Sequence, residues 1–239
     1  MIQFFAPDIA ENPILPESDS QHAIRVLRLG VGDRVQVVDG KGNVYDCIIA
    51  EPHQKRTLLS IVDSRPQLPH WPFNITIAVA PTKHLDRMEW LIEKMVEIGF
   101  NRFVPLLCRH SERKELKIER LQKIAVSAMK QSLKATLPTI EPMTPISQFI
   151  KEQSAIESQK FVCYCSDEIT ERLVLAEQLQ PLRDTTVLIG PEGDFSPDEI
   201  SATLDSGFKA VTLGDTRLRT ETAALYSLST IHVVNQLSR

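Results

Sequence analysis

Leu188-Ile189-Gly190-Pro191-Glu192-Gly193-Asp194-Phe195 decides how the chain is read. An apolar, β-rich run, 185–189, ends there in a tight Gly-Pro-Glu-Gly turn. Ser196-Pro197-Asp198-Glu199 follows, a capping box with proline at the first helical position, which predicts a helix start. Strand, glycine turn, helix is the local grammar of a parallel α/β sheet, and such sheets bind ligands outside the carboxyl ends of their strands. Gly190 and Gly193 allow close approach to the backbone. The turn is neither a Walker A loop nor a Gly-x-Gly-x-x-Gly fingerprint. A second loop repeats the grammar 24 residues on: Leu213-Gly214-Asp215-Thr216-Arg217-Leu218-Arg219-Thr220-Glu221-Thr222-Ala223-Ala224. A strand over 210–213 ends at glycine, and Thr220 is expected to cap a last helix from about Glu221 to Val234. Arg219 and Glu221 then stand at a helix mouth, where backbone N–H groups are unpaired. The plainer reading of either loop alone is a turn without ligand, or an N-cap beside an Arg219–Glu221 surface pair.

Outward from these loops, strands and helices keep alternating. Residues 74–80 read as a strand, and 84–98 as a helix with Leu85, Met88, Ile92 and Met95 on one stripe and Gly99 as its C-cap. Residues 103–107 are a strand. Residues 117–134 are a helix stopped by Pro138, with Ile118, Leu121, Ala125 and Ala128 on its buried stripe. Residues 161–165 are another strand. The whole predicts an α/β domain with a largely parallel sheet.

Before residue 70 the texture differs. Four of the nine glycines, Gly30, Gly32, Gly40 and Gly42, fall within thirteen residues. Short strands lie over 33–39, 44–49 and 57–62, and Asp39-Gly40-Lys41-Gly42 is a hairpin turn. This reads as a small β-barrel. The proline-rich stretch 65–72 reads as a stiff linker. Two domains are therefore expected, 1–70 and 71–239.

Composition narrows the class. Hydrophobic residues make up 42% and charged residues 24%, ordinary for a globular protein. No apolar run reaches the length of a membrane span, and the N-terminus lacks the pattern of a signal peptide, so a cytoplasmic location is expected. Net charge is −4, yet residues 83–134 carry 12 Lys+Arg against 7 Asp+Glu. A basic middle in an acidic chain is a candidate polyanion-binding surface, or else a solvated helix face. Cys163 and Cys165 read as packed thiols, and Cys47 and Cys108 stand alone in sequence. No metal-like spacing links the cysteines with His22, His84 and His110, so no metal is expected.

Together the two loops resemble the cofactor-binding loops of SPOUT-class methyltransferases. More specifically, the chain resembles the ribosomal RNA small-subunit methyltransferase E family. The resemblance rests on His22-Ala23-Ile24-Arg25-Val26-Leu27-Arg28-Leu29, on Lys83 with Asp86-Arg87-Met88-Glu89, and on Glu93-Lys94-Met95-Val96-Glu97-Ile98-Gly99. Ser111-Glu112-Arg113, Ala128-Met129-Lys130-Gln131-Ser132, Gly190-Pro191-Glu192-Gly193 and Leu218-Arg219-Thr220-Glu221-Thr222-Ala223 extend it over nearly the whole chain. The chain departs from the family at three places: Asp194 stands where a second glycine is usual, Leu133-Lys134 where Gly-Arg is usual, and Gln3 where an early arginine is usual.

The resemblance implies a PUA-like N-terminal barrel, a SPOUT domain with a trefoil knot, and a homodimer whose subunits share each active site. It implies S-adenosylmethionine as cofactor and N3 of a uridine in 16S ribosomal RNA as the methylated atom. The cofactor set it implies is Leu188, Ile189, Gly190, Pro191, Glu192, Gly193, Leu213, Gly214, Leu218, Arg219, Thr220, Thr222 and Ala223. Uridine N3 must lose a proton before it is methylated. Arg219 is expected to stabilise the resulting charge, and Glu192 or Glu221 to orient the base or take the proton. Arg25, Arg28, Lys83, Arg87, Lys94, Arg113 and Lys134 are expected to grip RNA phosphates. The rival readings are a related enzyme acting on transfer RNA or a ribose hydroxyl, and a non-catalytic RNA-binding assembly factor.

Overall fold

The structure is a computed structural model of the chain and describes residues 2–164 and 173–238. It divides into two compact units, Met1–His70 with Ala125–Leu137, and Trp71–Ile124 with Pro138–Arg239. The segment 125–137, expected in the second domain, thus groups with the first.

The first unit begins with strand β1 (Gln3–Phe5) and a short helix α1 (Glu17–Gln21) that runs on into a π turn. Strands β2 (Arg34–Val38), β3 (Asn43–Glu51) and β4 (Leu58–Pro66) follow. They form a sheet in the order β1-β2-β3-β4, with β1 parallel to β2 and the other pairs antiparallel. Alternate residues Val35, Val37, Cys47 and Ile49 turn inward onto Phe4, Ile9, Leu15 and Leu59. An isolated antiparallel bridge from Ile14 to Leu58 brings the chain after β1 back to the β4 edge. The expected hairpin at Asp39–Gly42 is present, its turn held by the Asp39 carboxylate, which accepts the amides of Lys41 and Asn43.

Two expectations change here. β4 does not stop at residue 62 but continues through Arg65 and Pro66, the start of the expected linker. Arg65 forms a cross-strand ion pair with Asp46. Pro66 takes the last strand position, where its missing N–H costs the ladder little.

From residue 71 the chain runs through β5 (Ile75–Val79), α2 (Leu85–Ile98), β6 (Arg102–Leu107) and α3 (Ile118–Gln131), whose residues from Ala125 on group with the first unit. It continues through β7 (Thr139–Ile140), β8 (Thr144–Pro145), α4 (Ile146–Ser154), β9 (Gln159–Cys163), α5 (Leu175–Gln178), β10 (Thr185–Ile189), α6 (Pro197–Asp205), β11 (Lys209–Val211) and α7 (Thr220–Leu237). The described strands form one sheet, β11-β9-β10-β5-β6-β7 with β8 also on β6, and every pairing is parallel. β10 is buried at all five positions, as a strand covered on both faces must be.

Helix α2 buries Met88, Leu91, Ile92, Met95 and Val96, close to the expected stripe, and ends at Gly99 with φ 117°. Helix α3 ends at Gln131, seven residues before the proline expected to stop it. Leu133 adopts a left-handed φ of 55°. Its amide bonds to the Lys130 carbonyl and the Lys134 amide to the Met129 carbonyl. These are the bonds of a Schellman-type stop, which needs no proline. Strand β9 runs two residues earlier than expected, and Cys165 lies outside the described residues. No helix among the described residues is long and apolar enough to cross a membrane.

Candidate active site

Register puts the site where it is. Ile189 of β10 is level with Cys163 of β9, and Cys163 is level with Val211 of β11. Three parallel strands therefore end at one height, and the loops that leave β10 and β11 enclose a cavity of about 790 Å³ above them. Cys163, Ile189 and Val211 line it at the strand ends.

The first loop is shaped by its own residues. Gly190 packs against Phe195, whose ring carbons would stand 2.9 Å from an added Cβ. Asp194 closes the turn with its amide on the Pro191 carbonyl, at a left-handed φ of 61°. The Asp194 carboxylate accepts the Phe195 amide at 2.8 Å. Burial pushes the Asp194 carboxyl above its usual range, against the opposing pull of Arg217 and His110.

The capping box at the start of α6 is formed in both directions, as expected from Ser196 and Glu199. Glu199 does more than cap. Its other oxygen accepts the Arg109 amide at 2.7 Å, tying the 108–111 loop to the helix start. His110 of that loop then stands against Gly193, with its ring nitrogen 3.1 Å from the Asp194 carbonyl.

The second loop corrects an expectation. Thr220 is not the N-cap of α7 but its first residue, and Arg219 holds the cap position without a side-chain capping bond. The Thr220 hydroxyl is turned instead toward the Gly190 carbonyl of the first loop, at 3.4 Å. Gly214 takes a φ of 115° that a side chain would disfavour, leaving the backbone open.

Of the cofactor set, Ile189, Gly190, Pro191, Glu192, Leu213, Gly214, Leu218, Arg219, Thr220 and Ala223 line the cavity. Three do not. Leu188 turns into the sheet core, being wholly buried among Ala78, Val104 and Val162. Gly193 faces His110, and Thr222 is exposed on α7. Arg219 is exposed at the cavity wall. Glu221 is not paired with Arg219. It is buried at 6% exposure, with one oxygen 3.7 Å from Nε of Arg87 and the other buried without a hydrogen-bond partner.

The phosphate-gripping candidates scatter. Arg87 lines the cavity, between Glu192 and Glu221. Lys83 and Arg113 come together, for the Arg113 guanidinium donates to the Lys83 carbonyl at 2.6 Å. Lys94 is held on α2 by Glu93 and Glu97 at 2.7 and 2.9 Å. Arg25, Arg28 and Lys134 belong to the first unit. There Arg25 donates to the Gln54 side chain, Arg28 adopts a φ of 57°, and the Lys134 carbonyl accepts from Gln3.

Sequence reading missed Cys163, Val211, Asp194, Asp215, Thr216 and Arg217 as cavity residues. The first two lie inside the expected strands 161–165 and 210–213, and only the observed strand ends at Cys163 and Val211 bring them to the cavity. The last three sit inside a loop already singled out. Neither fully buried thiol offers a nucleophile, for burial pushes Cys47 up to about 11 and Cys108 up to about 12.

Comparison with known proteins places this geometry in a family. Residues 69–232 match an RNA methyltransferase domain, and residues 15–63 an RNA methyltransferase PUA domain. A ribosomal RNA small subunit methyltransferase E of Synechocystis is 30% identical over 88% of this chain and 69% of its own length. A probable rRNA-methyltransferase of Porphyromonas gingivalis has a solved structure 40% identical to the chain, with a TM-score of 0.94 over 100% of both chains. A ribosomal RNA small subunit methyltransferase E of Neisseria gonorrhoeae, solved bound to S-adenosyl methionine, is 26% identical with a TM-score of 0.83 over 98% of each chain. The fold is thus a PUA-like domain joined to a SPOUT methyltransferase domain, as the loops suggested. With most of its length matched to an RNA methyltransferase domain, and a relative at 30% identity, the chain belongs to the ribosomal RNA small subunit methyltransferase E family.

Proposed function

We propose that the chain methylates N3 of a uridine in 16S ribosomal RNA of the small subunit, with S-adenosylmethionine as donor. The observation that carries this reading is the cavity over the level ends of β9, β10 and β11, with Arg219 and Glu192 on its wall. Its size suits a cofactor of this class. Ile189, Val211, Leu213, Leu218 and Ala223 give it apolar surface for an adenosine, and the open backbone at Gly190 and Gly214 gives polar groups to recognise it.

Bound there, the cofactor supplies an electrophilic methyl group on a sulfonium. The protein's task is to make uridine N3 a nucleophile and hold it in line. Glu192, the carboxylate on the cavity wall, takes the N3 proton. Negative charge then spreads onto O2 and O4 of the base, and Arg219 at the wall stabilises it. Glu221, buried behind the wall, acts on orientation. The first unit docks on folded RNA shape, which suits a PUA domain. The chain works as a homodimer. Tyr226, Val233 and Leu237, exposed along α7, supply apolar surface for a second copy, and light scattering tests this.

The deciding experiment incubates the protein with S-adenosylmethionine and small subunits from a strain lacking the modification. The RNA is digested and its nucleosides are resolved by mass spectrometry. N3-methyluridine should appear, and Arg219→Ala should abolish it while cofactor still binds. A ribose-methylated nucleoside, or product on transfer RNA alone, would redirect the reading to another substrate. No cofactor binding at all would favour a non-catalytic RNA-binding factor.

A further inference from the structure

Arg87 holds a place that gripping RNA does not explain. It lies in the first turn of α2, with Nη1 3.6 Å from Oε1 of Glu192 and Nε 3.7 Å from Oε1 of Glu221. Both distances exceed a hydrogen bond, so the attraction is charge on charge. Three separate elements meet there: α2, the loop after β10 and the first turn of α7.

The three side chains are not equally free. The Glu221 side chain is only 8% exposed and has its second oxygen buried without a hydrogen-bond partner. A buried carboxylate so placed requires counter-charge, and Arg87 supplies it. The Arg87 backbone is fixed because α2 buries Met88, Leu91 and Ile92 in the next turns. Glu192 is the loose member, 40% exposed on a loop. The buried pair is therefore the fixed part, and the carboxylate on the cavity wall is the part being placed.

We infer that Arg87 is a positioning residue for methyl transfer: anchored from behind by Glu221, its guanidinium sets where the Glu192 carboxylate stands at the cavity wall. This rests on the proposed role of Glu192 in receiving the uridine proton. The planar guanidinium offers separate N–H edges to two carboxylates, whereas a lysine ammonium is one compact charge and can serve one of them well. An arginine balanced by two carboxylates is also poorly suited to neutralise a phosphate.

The test compares wild type, Arg87→Gln, Arg87→Lys, Glu192→Gln and the Arg87→Gln/Glu192→Gln double variant. It reads single-turnover methylation of subunit RNA, RNA affinity across salt concentration, and melting temperature. Arg87→Gln should slow the chemical step about 100-fold. RNA Kd and its salt slope should stay as in wild type, and Arg87→Lys should recover part of the rate. In the Glu192→Gln background, loss of Arg87 should cost little more, since the group it places is already gone. The inference is overturned if the rate constant is unchanged while the salt slope falls by about one, the mark of a lost phosphate contact. It is equally overturned if the two single losses multiply. Should Arg87→Gln melt early, Arg87→Lys and its double with Glu192→Gln carry the same comparison. Wild-type protein that methylates no RNA would overturn the proposed function itself, whatever the variants bind.

Discussion

The Thr220 hydroxyl lies 3.4 Å from the Gly190 carbonyl oxygen, so the first turn of α7 steadies the loop that leaves β10. Both residues line the same cavity. Thr220→Val keeps the shape and removes the hydroxyl. Its loss should weaken S-adenosylmethionine binding by about 0.5–1.5 kcal/mol, the worth of one net hydrogen bond. The bond is present in the free protein too, so the melting temperature should fall by about 2–4 °C. Titration calorimetry with the cofactor checks this, and unchanged affinity would show that the two loops hold their positions independently.

Gly99 ends α2 at φ 117°, and a Cβ there would stand 2.1 Å from the Trp71 ring. That ring is itself pinned, its indole N–H donating to Asn101 at 3.0 Å and the ring lying T-shaped to that of His232, with centroids 5.3 Å apart. Gly99→Ala should therefore combine backbone strain with overpacking and lower stability by about 2–4 kcal/mol. Urea unfolding followed by Trp fluorescence reads it.

Asp194 gives a pH signature. Burial raises its carboxyl above the ordinary value of 3.8. Such a group binds its proton more tightly folded than unfolded. It favours folding below the unfolded value, and that contribution is lost as pH rises through the raised one. At neutral pH the wild type bears the whole cost of the buried charge. Asp194→Asn removes the charge, tolerates the left-handed backbone and keeps an oxygen for the Phe195 amide. The variant should be more stable than wild type at pH 7, with the advantage shrinking as pH falls toward 3.8. Thermal melts across that range decide it.

These sites show what sequence carries. The two loops were legible because glycine, proline and capping residues act within a few positions of themselves, and so were α2 and the alternating strands. What failed was long-range. That Cys163 and Val211 stand level with Ile189 depends on parallel register, which no local pattern encodes. Arg87 read as a phosphate ligand because it is a cation in a basic stretch, while its carboxylates come from residues 192 and 221. The move of 125–137 to the first unit is equally invisible to periodicity, since one continuous helix pattern crosses the division. A trefoil knot, expected from the resemblance alone, is likewise a property of chain path and not of any segment.

Leu133 stands where the family resemblance implies a glycine, and its backbone shows what a side chain costs there. It ends α3 at φ 55°, half exposed, where glycine would sit without strain. A left-handed conformation costs a side-chain-bearing residue about 1–2 kcal/mol. Glycine loses more chain entropy on folding, about 0.5–1 kcal/mol. The hydrogen bonds of Leu133 survive the change because it makes them through its own backbone, the Gln67 side-chain amide donating to its carbonyl. The Leu133 carbonyl accepts from Gln67 at 2.8 Å, and the Leu133 amide donates to Lys130 at 3.2 Å. The difference favours glycine, so Leu133→Gly should raise stability by about 0.5–1 kcal/mol in urea unfolding. A loss instead would mean that the exposed leucine side chain contributes packing that outweighs its strained backbone.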